Sequence, residues 1–131
     1  MNVLLDTSAY SALQRGDARV LSVMQRSRVV AIPVIVLGEL HSGFGLGQNC
    51  AGNEELLARF MSKASVRVLN LTDETALRYA DIDVFLRTRG RPIPRNDVWI
   101  AALAREHGMH LLTLDAHFGE IPMLLREPRC E

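Results

Sequence analysis

The sequence predicts an α/β fold: a central parallel sheet of four to five strands flanked by helices on both faces. Short apolar runs recur at 2–6, 28–32, 66–71 and 110–115, and segments with helical spacing lie between them. A length of 131 residues suits one domain spanning 1–131 and is enough to bury a real core.

"NVLLD" (2–6) is a short apolar run ending in an acid and reads as a buried strand. Thr7 or Ser8 can cap the helix that "AYSALQRG" suggests, with Gly16 stopping it. Asp17 offers a cap for a second helix over roughly 18–27. "RVVAI" (28–32) is the second strand, and Pro33 suits the first turn of a helix over 33–42, closed by Gly43, Gly45 and Gly47. Leu56, Leu57, Phe60 and Met61 give 53–64 an amphipathic helical spacing, and "VRVLNL" (66–71) alternates as a strand does. Thr72 opens a long helix to about Arg89, with Asp73 and Glu74 where the dipole favours anions. "GRPIPR" is a loop, Asn96 caps the helix "DVWIAALAREH", and Gly108 ends it. "HLLTLD" (110–115) is another buried strand ending in an acid, with "MLLRE" a last, weaker one.

Composition narrows the function classes. The hydrophobic share of 48% and charged share of 23% are those of an ordinary globular chain. Formal net charge is zero, so bulk electrostatics draw the chain to neither nucleic acid nor membrane. Of the 15 basic residues all but Lys63 are arginine, the side chain suited to bidentate contact with carboxylate or phosphate. Cys50 and Cys130 form no C-x-x-C, which argues against a zinc site or a disulfide framework and for a reduced, cytoplasmic protein. "MNVLLDT" lacks the basic start and long apolar centre of a signal peptide, and the apolar stretch from Val29 to Leu37 falls far short of the ~20 residues of a membrane helix.

The acids carry the functional signal. Ligands of open α/β sheets bind at the carboxyl ends of the strands, where Asp6 and Asp115 both fall. Asp97, in the first turn of a helix entered from that edge, and Glu39, two turns into the helix after the second strand, can converge there too. Each has a structural alternative. Asp6 and Asp115 are placed to cap helices, Asp97 suits a helix start, and Glu39 can pair with an arginine. Glu39 is the hardest to explain structurally, because a charge inside "IPVIVLGEL" is expensive without a partner. Clustered carboxylates raise one another's pKa unless a cation compensates. Mg²⁺ or Mn²⁺ does so, taking carboxylate oxygens at ~2.1 Å. In nucleases such ions activate a water and stabilise charge developing on phosphate, acting singly or as a pair ~3.5–4 Å apart.

Four blocks in order, "LLDTSA", "IPVIVLGEL", "RNDVWIAALAREHG" and "LLTLDAHFGEIP", resemble PIN-domain proteins, and most of all the VapC-type toxins of bacterial toxin–antitoxin pairs. The resemblance spans essentially the whole chain. It implies an endoribonuclease using Mg²⁺ or Mn²⁺, held inactive by a cognate VapB-like antitoxin and forming a homodimer. The family's acidic quartet maps onto Asp6, Glu39, Asp97 and Asp115, the same four acids the strand-end argument selects. Its small hydroxyls match Thr7 and Thr113, which with Asn96 would orient the carboxylates or a metal-bound water. One departure bears on how many ions bind at once: many relatives carry a further acid just ahead of the Asn-Asp pair, and here that place holds Arg95.

"GFGLGQ" (43–48) fails as a dinucleotide-binding fingerprint, since Gln48 stands at the third glycine and the segment follows a helix. His107 and His110 straddle a helix end and read better as dipole complement than as zinc ligands; His117 reads as a surface residue that can touch substrate. Arg87, Arg89, Arg91 and Arg95 form the one local basic cluster and run directly into Asp97. They are either a solvated helix end or a phosphate-binding lip for RNA. The rival function is a catalytically idle interaction module that only engages a partner protein or RNA.

Overall fold

The computed structural model describes residues 1–129. Five strands form one wholly parallel sheet: β1 (Asn2–Leu5), β2 (Val29–Pro33), β3 (Val66–Leu69), β4 (His110–Leu112) and β5 (Arg126–Glu127). Their spatial order is β3-β2-β1-β4-β5. Leu4, at the centre, pairs with Ala31 on one side and Leu111 on the other. Val3, Leu4 and Leu5 have no exposed surface, which is why β1 reads as an unbroken apolar run: both of its faces are covered.

Six helices connect and cover the strands: α1 (Thr7–Gln14), α2 (Ala18–Gln25), α3 (Val34–Leu46), α4 (Cys50–Met61), α5 (Asp73–Thr88) and α6 (Arg95–His107). The chain moves from β1 outward to β2 and β3, then returns through α5 and α6 to β4 on the other side of β1. The strand order therefore reverses between β1 and β4, and a crevice opens where their carboxyl ends diverge. That switch point is where Asp6 and Asp115 emerge.

The helices follow their residues. Asp6 caps α1, accepting from the Ala9 amide at 2.8 Å, and Asp17 caps α2 through Arg19 and Val20. Thr72 and Thr75 form a reciprocal capping box at the start of α5. The buried Thr75 hydroxyl also donates to Glu106 of α6 at 2.6 Å, and Tyr79 lies on Trp99 with ring centroids 4.2 Å apart. α5 and α6 are thereby held as one pair behind the sheet. Gly108 ends α6 at φ 61°, a conformation that costs an L side chain about 1–2 kcal/mol. Gly108→Ala is expected to lower unfolding free energy by about that amount, read from denaturant midpoints, with the site unaffected.

Several boundaries differ from expectation: Asp6, not Thr7 or Ser8, caps α1, and α4 runs from Cys50 to Met61 instead of over 53–64. Pro33 closes β2 and caps α3 instead of occupying its first turn. Gly43 and Gly45 do not end α3, which continues to Leu46 and stops at Gly47. Each glycine costs about 1 kcal/mol relative to alanine in a helix, while the added turn brings Phe44 against the core. Asn96 does not cap α6 either: Pro94 takes that position without a side-chain bond, and the helix begins at Arg95. The sequence reading also lacks a 3-10 turn over Ala116–Glu120, pinned by the fully buried Phe118. Cys50 is a free, exposed thiol, while Cys130 lies outside the described residues. Among the described residues no helix is long and apolar enough to cross a membrane.

Candidate active site

A cleft of about 530 Å³ opens at the carboxyl edge of the sheet, lined by Asp6, Thr7, Ser8, Glu39, Asn96, Asp97, Asp115 and His117, with Pro94 and Arg95 at its rim. All four acids selected from sequence reach it, from four different segments. Asp6 follows β1 and is buried. Glu39 projects from the second turn of α3, Asp97 from the first turn of α6, and Asp115 lies three residues beyond β4.

Small hydroxyls hold these acids in place. Thr113 donates to Asp6 Oδ2 and accepts from the Asp115 amide at 2.9 Å, so one side chain ties two of the acids together. Thr7 donates to Glu39 Oε1 at 2.7 Å, joining α1 to α3. That bond answers the puzzle of a charge in an apolar run: Glu39 is half-buried, faces the cleft and is paired with a hydroxyl, not with an arginine. Ser8 completes the frame, donating to Asp6 Oδ1 at 2.7 Å and accepting from the Leu114 amide at 3.0 Å. Sequence reasoning treated Ser8 only as a helix cap, because its bond to Leu114 spans more than a hundred residues.

His117 is the second addition. Its Nδ1 stands 3.1 Å from Asp97 Oδ2 and 3.2 Å from Asp115 Oδ1. Asp97, Asp115 and His117 form the tight donor set, whereas the carboxylates of Asp6 and Glu39 line the same cleft but are held toward their hydroxyl partners. Asn96 lines the cleft beside Asp97. The arginines divide. Arg87 pairs with Asp83 along α5 at 2.9 Å, Arg89 stacks over Phe85, and Arg91 pairs with Glu120 at 3.1 Å. Only Arg95 of the four lines the cleft. His107 and His110 face Glu106 and Glu127 respectively, away from one another's partners.

The electrostatics favour a cation. Burial pushes the Asp6 carboxyl above its usual range, against the hydrogen bonds from Thr113, Ala9 and Ser8, and the Asp115 charge adds to the rise. Burial likewise raises Asp97, with Asp115 and Glu39 adding repulsion that His117 partly offsets. Carboxylate oxygens from four segments around one open cleft are the donor set that hard divalent ions take, so the residues fit a bound divalent cation. The same shifts give a linkage expectation. A carboxyl whose pKa is higher folded than unfolded binds more protons in the native state, so stability falls as pH rises through the raised value. Without added metal, melting temperature should therefore fall through these two groups as pH rises above the ordinary carboxylate range, and Asp97→Asn should flatten that fall.

The comparisons with known proteins agree with this fold. The family model for the PIN domain matches residues 3–123. The chain belongs to the PIN-domain family. Ribonuclease VapC5 of Mycobacterium tuberculosis is 30% identical to it over 118 residues, which cover 90% of this chain and 86% of that one. The PIN domain also superposes on the crystal structure of VapBC2 from Rickettsia felis, bound to a DNA fragment from their promoter. The TM-score is 0.84 at 25% identity, covering 97% of this chain and 98% of the other. VapBC-5 from Mycobacterium tuberculosis, described as a member of the VapBC family of toxin–antitoxin systems, gives a TM-score of 0.72 at 28% identity, covering 96% and 95%. In this PIN domain the crevice between β1 and β4 is thus both the topological switch point and the meeting place of the four acids.

Proposed function

We propose that this PIN domain, as a single domain over 1–131, is a metal-dependent endoribonuclease, the toxin of a toxin–antitoxin pair. The observation that carries the reading is the convergence of Asp6, Glu39, Asp97 and Asp115 on one cleft of a fold whose relatives include a ribonuclease VapC5. Asp6, Glu39, Asp97 and Asp115 would hold Mg²⁺ or Mn²⁺. Such a cation would supply an activated water and neutralise charge developing on the phosphate. Asp97 and Asp115 would fix the cation's place in the cleft, and Glu39, whose Oε1 accepts from Thr7, would be placed to take a proton from the attacking water. Thr7, Thr113 and Ser8 hold the acids through their hydroxyls, and Asn96, which lines the cleft beside Asp97, would orient a metal-bound water. Thr113→Val would leave Asp6 Oδ2 and the Asp115 amide without their Thr113 partner, and cleavage rate is expected to fall about 10–100-fold in a folded protein.

RNA enters over the rim formed by Pro94 and Arg95. Arg95→Ala should weaken RNA binding and lower the dependence of log affinity on log salt by about 0.7, the value for one single-strand phosphate contact. Arg87→Ala, at a residue already paired with Asp83, should leave both unchanged. Filter binding at several salt concentrations checks the pair; equal effects of the two substitutions would return all four arginines to a general electrostatic role.

The inhibitor is a VapB-like antitoxin, as in the VapBC complexes on which the chain superposes. An antitoxin arginine set against the acids would compete with metal, while its apolar residues would cover α3 and α4. Leu57 is buried there, so Leu46 and Leu56, both exposed, are the side chains available to it. The protein is proposed to act in the cytoplasm as a homodimer, a state that light scattering of the purified chain reads directly. Cleavage of cellular RNA by the purified chain, present with Mn²⁺ and lost with chelator, tests the reading as a whole.

A further inference from the structure

The acidic quartet leaves one group in the cleft without a role: the imidazole of His117. Its Nδ1 reaches Asp97 Oδ2 at 3.1 Å and Asp115 Oδ1 at 3.2 Å, and all three donors lie within 4.8 Å of one another. The two carboxylates come from α6 and from the segment after β4, so the ring bridges separate elements of the fold. A single N–H can be well aligned with only one of two such acceptors. A divalent ion has no such limit. Two ligands on one edge of an octahedron, each about 2.1 Å from the metal, stand about 3.0 Å apart, and the two observed spacings match that edge.

The ring is also not a loose surface side chain. The His117 amide donates to Asp115 Oδ1 at 3.0 Å, which caps the 3-10 turn, and the next residue, Phe118, is fully buried. The backbone on either side of the imidazole is therefore fixed by a hydrogen bond and by the core. Only the position of the ring within that turn is left to choose, and it lies against both acids.

We propose that His117 is a nitrogen ligand that joins Asp97 and Asp115 on the metal and tilts the site away from Mg²⁺ toward divalent transition ions. The inference rests on the nuclease reading for the presence of a cation in the cleft. Its chemistry follows from donor type. Mg²⁺ is hard, takes oxygen ligands and gives up water reluctantly. Imidazole nitrogen suits transition ions, whose affinity for mixed nitrogen and oxygen sites rises from Mn²⁺ to Co²⁺. An all-carboxylate cleft carries that order only weakly, and a nitrogen ligand strengthens it. The order of preference is therefore Co²⁺ over Mn²⁺ over Mg²⁺.

The test combines calorimetric titration of the full chain with Mg²⁺, Mn²⁺ and Co²⁺ and pulsed electron paramagnetic resonance of the Mn²⁺-loaded protein. The wild type should show ¹⁴N coupling to Mn²⁺, and His117→Gln should lose it. The same substitution should weaken Mn²⁺ and Co²⁺ binding on the order of tenfold or more while changing Mg²⁺ binding far less. Asp97→Asn, which removes a carboxylate, should weaken all three ions. If the wild type binds Mn²⁺ and Asp97→Asn does not, but no ¹⁴N coupling is seen and His117→Gln keeps the same ratio of Mn²⁺ to Mg²⁺ affinity, His117 is a hydrogen-bonding neighbour. The inference then falls while the nuclease reading stands. Absence of saturable binding of any of these ions to the wild type overturns both.

Discussion

Asp97→Asn is expected to remove RNA cleavage and, in cells, toxicity, while the protein stays folded. The substitution keeps size and shape but deletes a charge at the centre of the tight donor set formed with Asp115 and His117. A metal ion contributes several kcal/mol of transition-state stabilisation, so losing its hold should lower the rate on the order of 10³-fold or more. The fold does not need the charge. Asp97 lies in the first turn of α6, whose N-terminal cap is Pro94. Burial and neighbouring acids oppose its ionisation, so neutralising it should raise the metal-free melting temperature. Asp6→Asn should be equally inactive, and asparagine keeps the oxygen that caps α1. A folded Asp97→Asn protein that still cleaves RNA at the wild-type rate with Mn²⁺ would move the chemistry elsewhere. An unchanged toxicity would favour the idle interaction module.

The second large effect is on stability. A ligand that binds only the native state at a hundred times its dissociation constant adds about 2.7 kcal/mol. For a chain of this size that is on the order of 10 °C in Tm. Saturating Mn²⁺ is expected to produce a shift of that order, since it relieves repulsion among Asp6, Glu39, Asp97 and Asp115 in a partly buried cleft. Glu39→Gln should reduce the shift to about half or less, and should raise the metal-free Tm by removing one of the charges that Asp97 senses. Thr7 can still donate to the amide oxygen of glutamine, so the packing of α1 on α3 is retained. Scanning calorimetry with and without Mn²⁺ on both proteins decides the matter. Identical shifts would leave Glu39 as a partner of Thr7 and nothing more.

What was legible in the sequence is what depends on short-range pattern. Asp6 and Asp115 could be found because apolar runs run straight into them, and a parallel sheet sends the carboxyl ends of its strands to one edge. Glu39 stood out because burial makes an unpartnered charge expensive. What was not legible depends on where distant segments meet. Ser8 joins Asp6 to the Leu114 amide only because β1 and β4 are neighbours in the sheet. His117 is aimed by a five-residue 3-10 turn, too short to show a period, and its anchor, Phe118, looks like any other aromatic residue. The arginines stayed open between a solvated helix end and a phosphate lip, because pairing across α5 and the cleft is not visible along the chain: Arg87 meets Asp83, Arg89 lies over Phe85, and Arg95 lines the cleft. α3 outran its glycines because packing of Phe44 outweighed their helix cost.

The most direct test of the account is the chemistry of the ends left on cellular RNA by the purified wild-type chain in Mn²⁺. If the acids of this cleft direct a metal-activated water at phosphorus, cleavage stops with chelator, and the products carry linear phosphate and hydroxyl ends. No 2′,3′-cyclic phosphate is then formed, because the attacking oxygen comes from water and not from the ribose. Chelator-insensitive cleavage, or products ending in 2′,3′-cyclic phosphate, would contradict it.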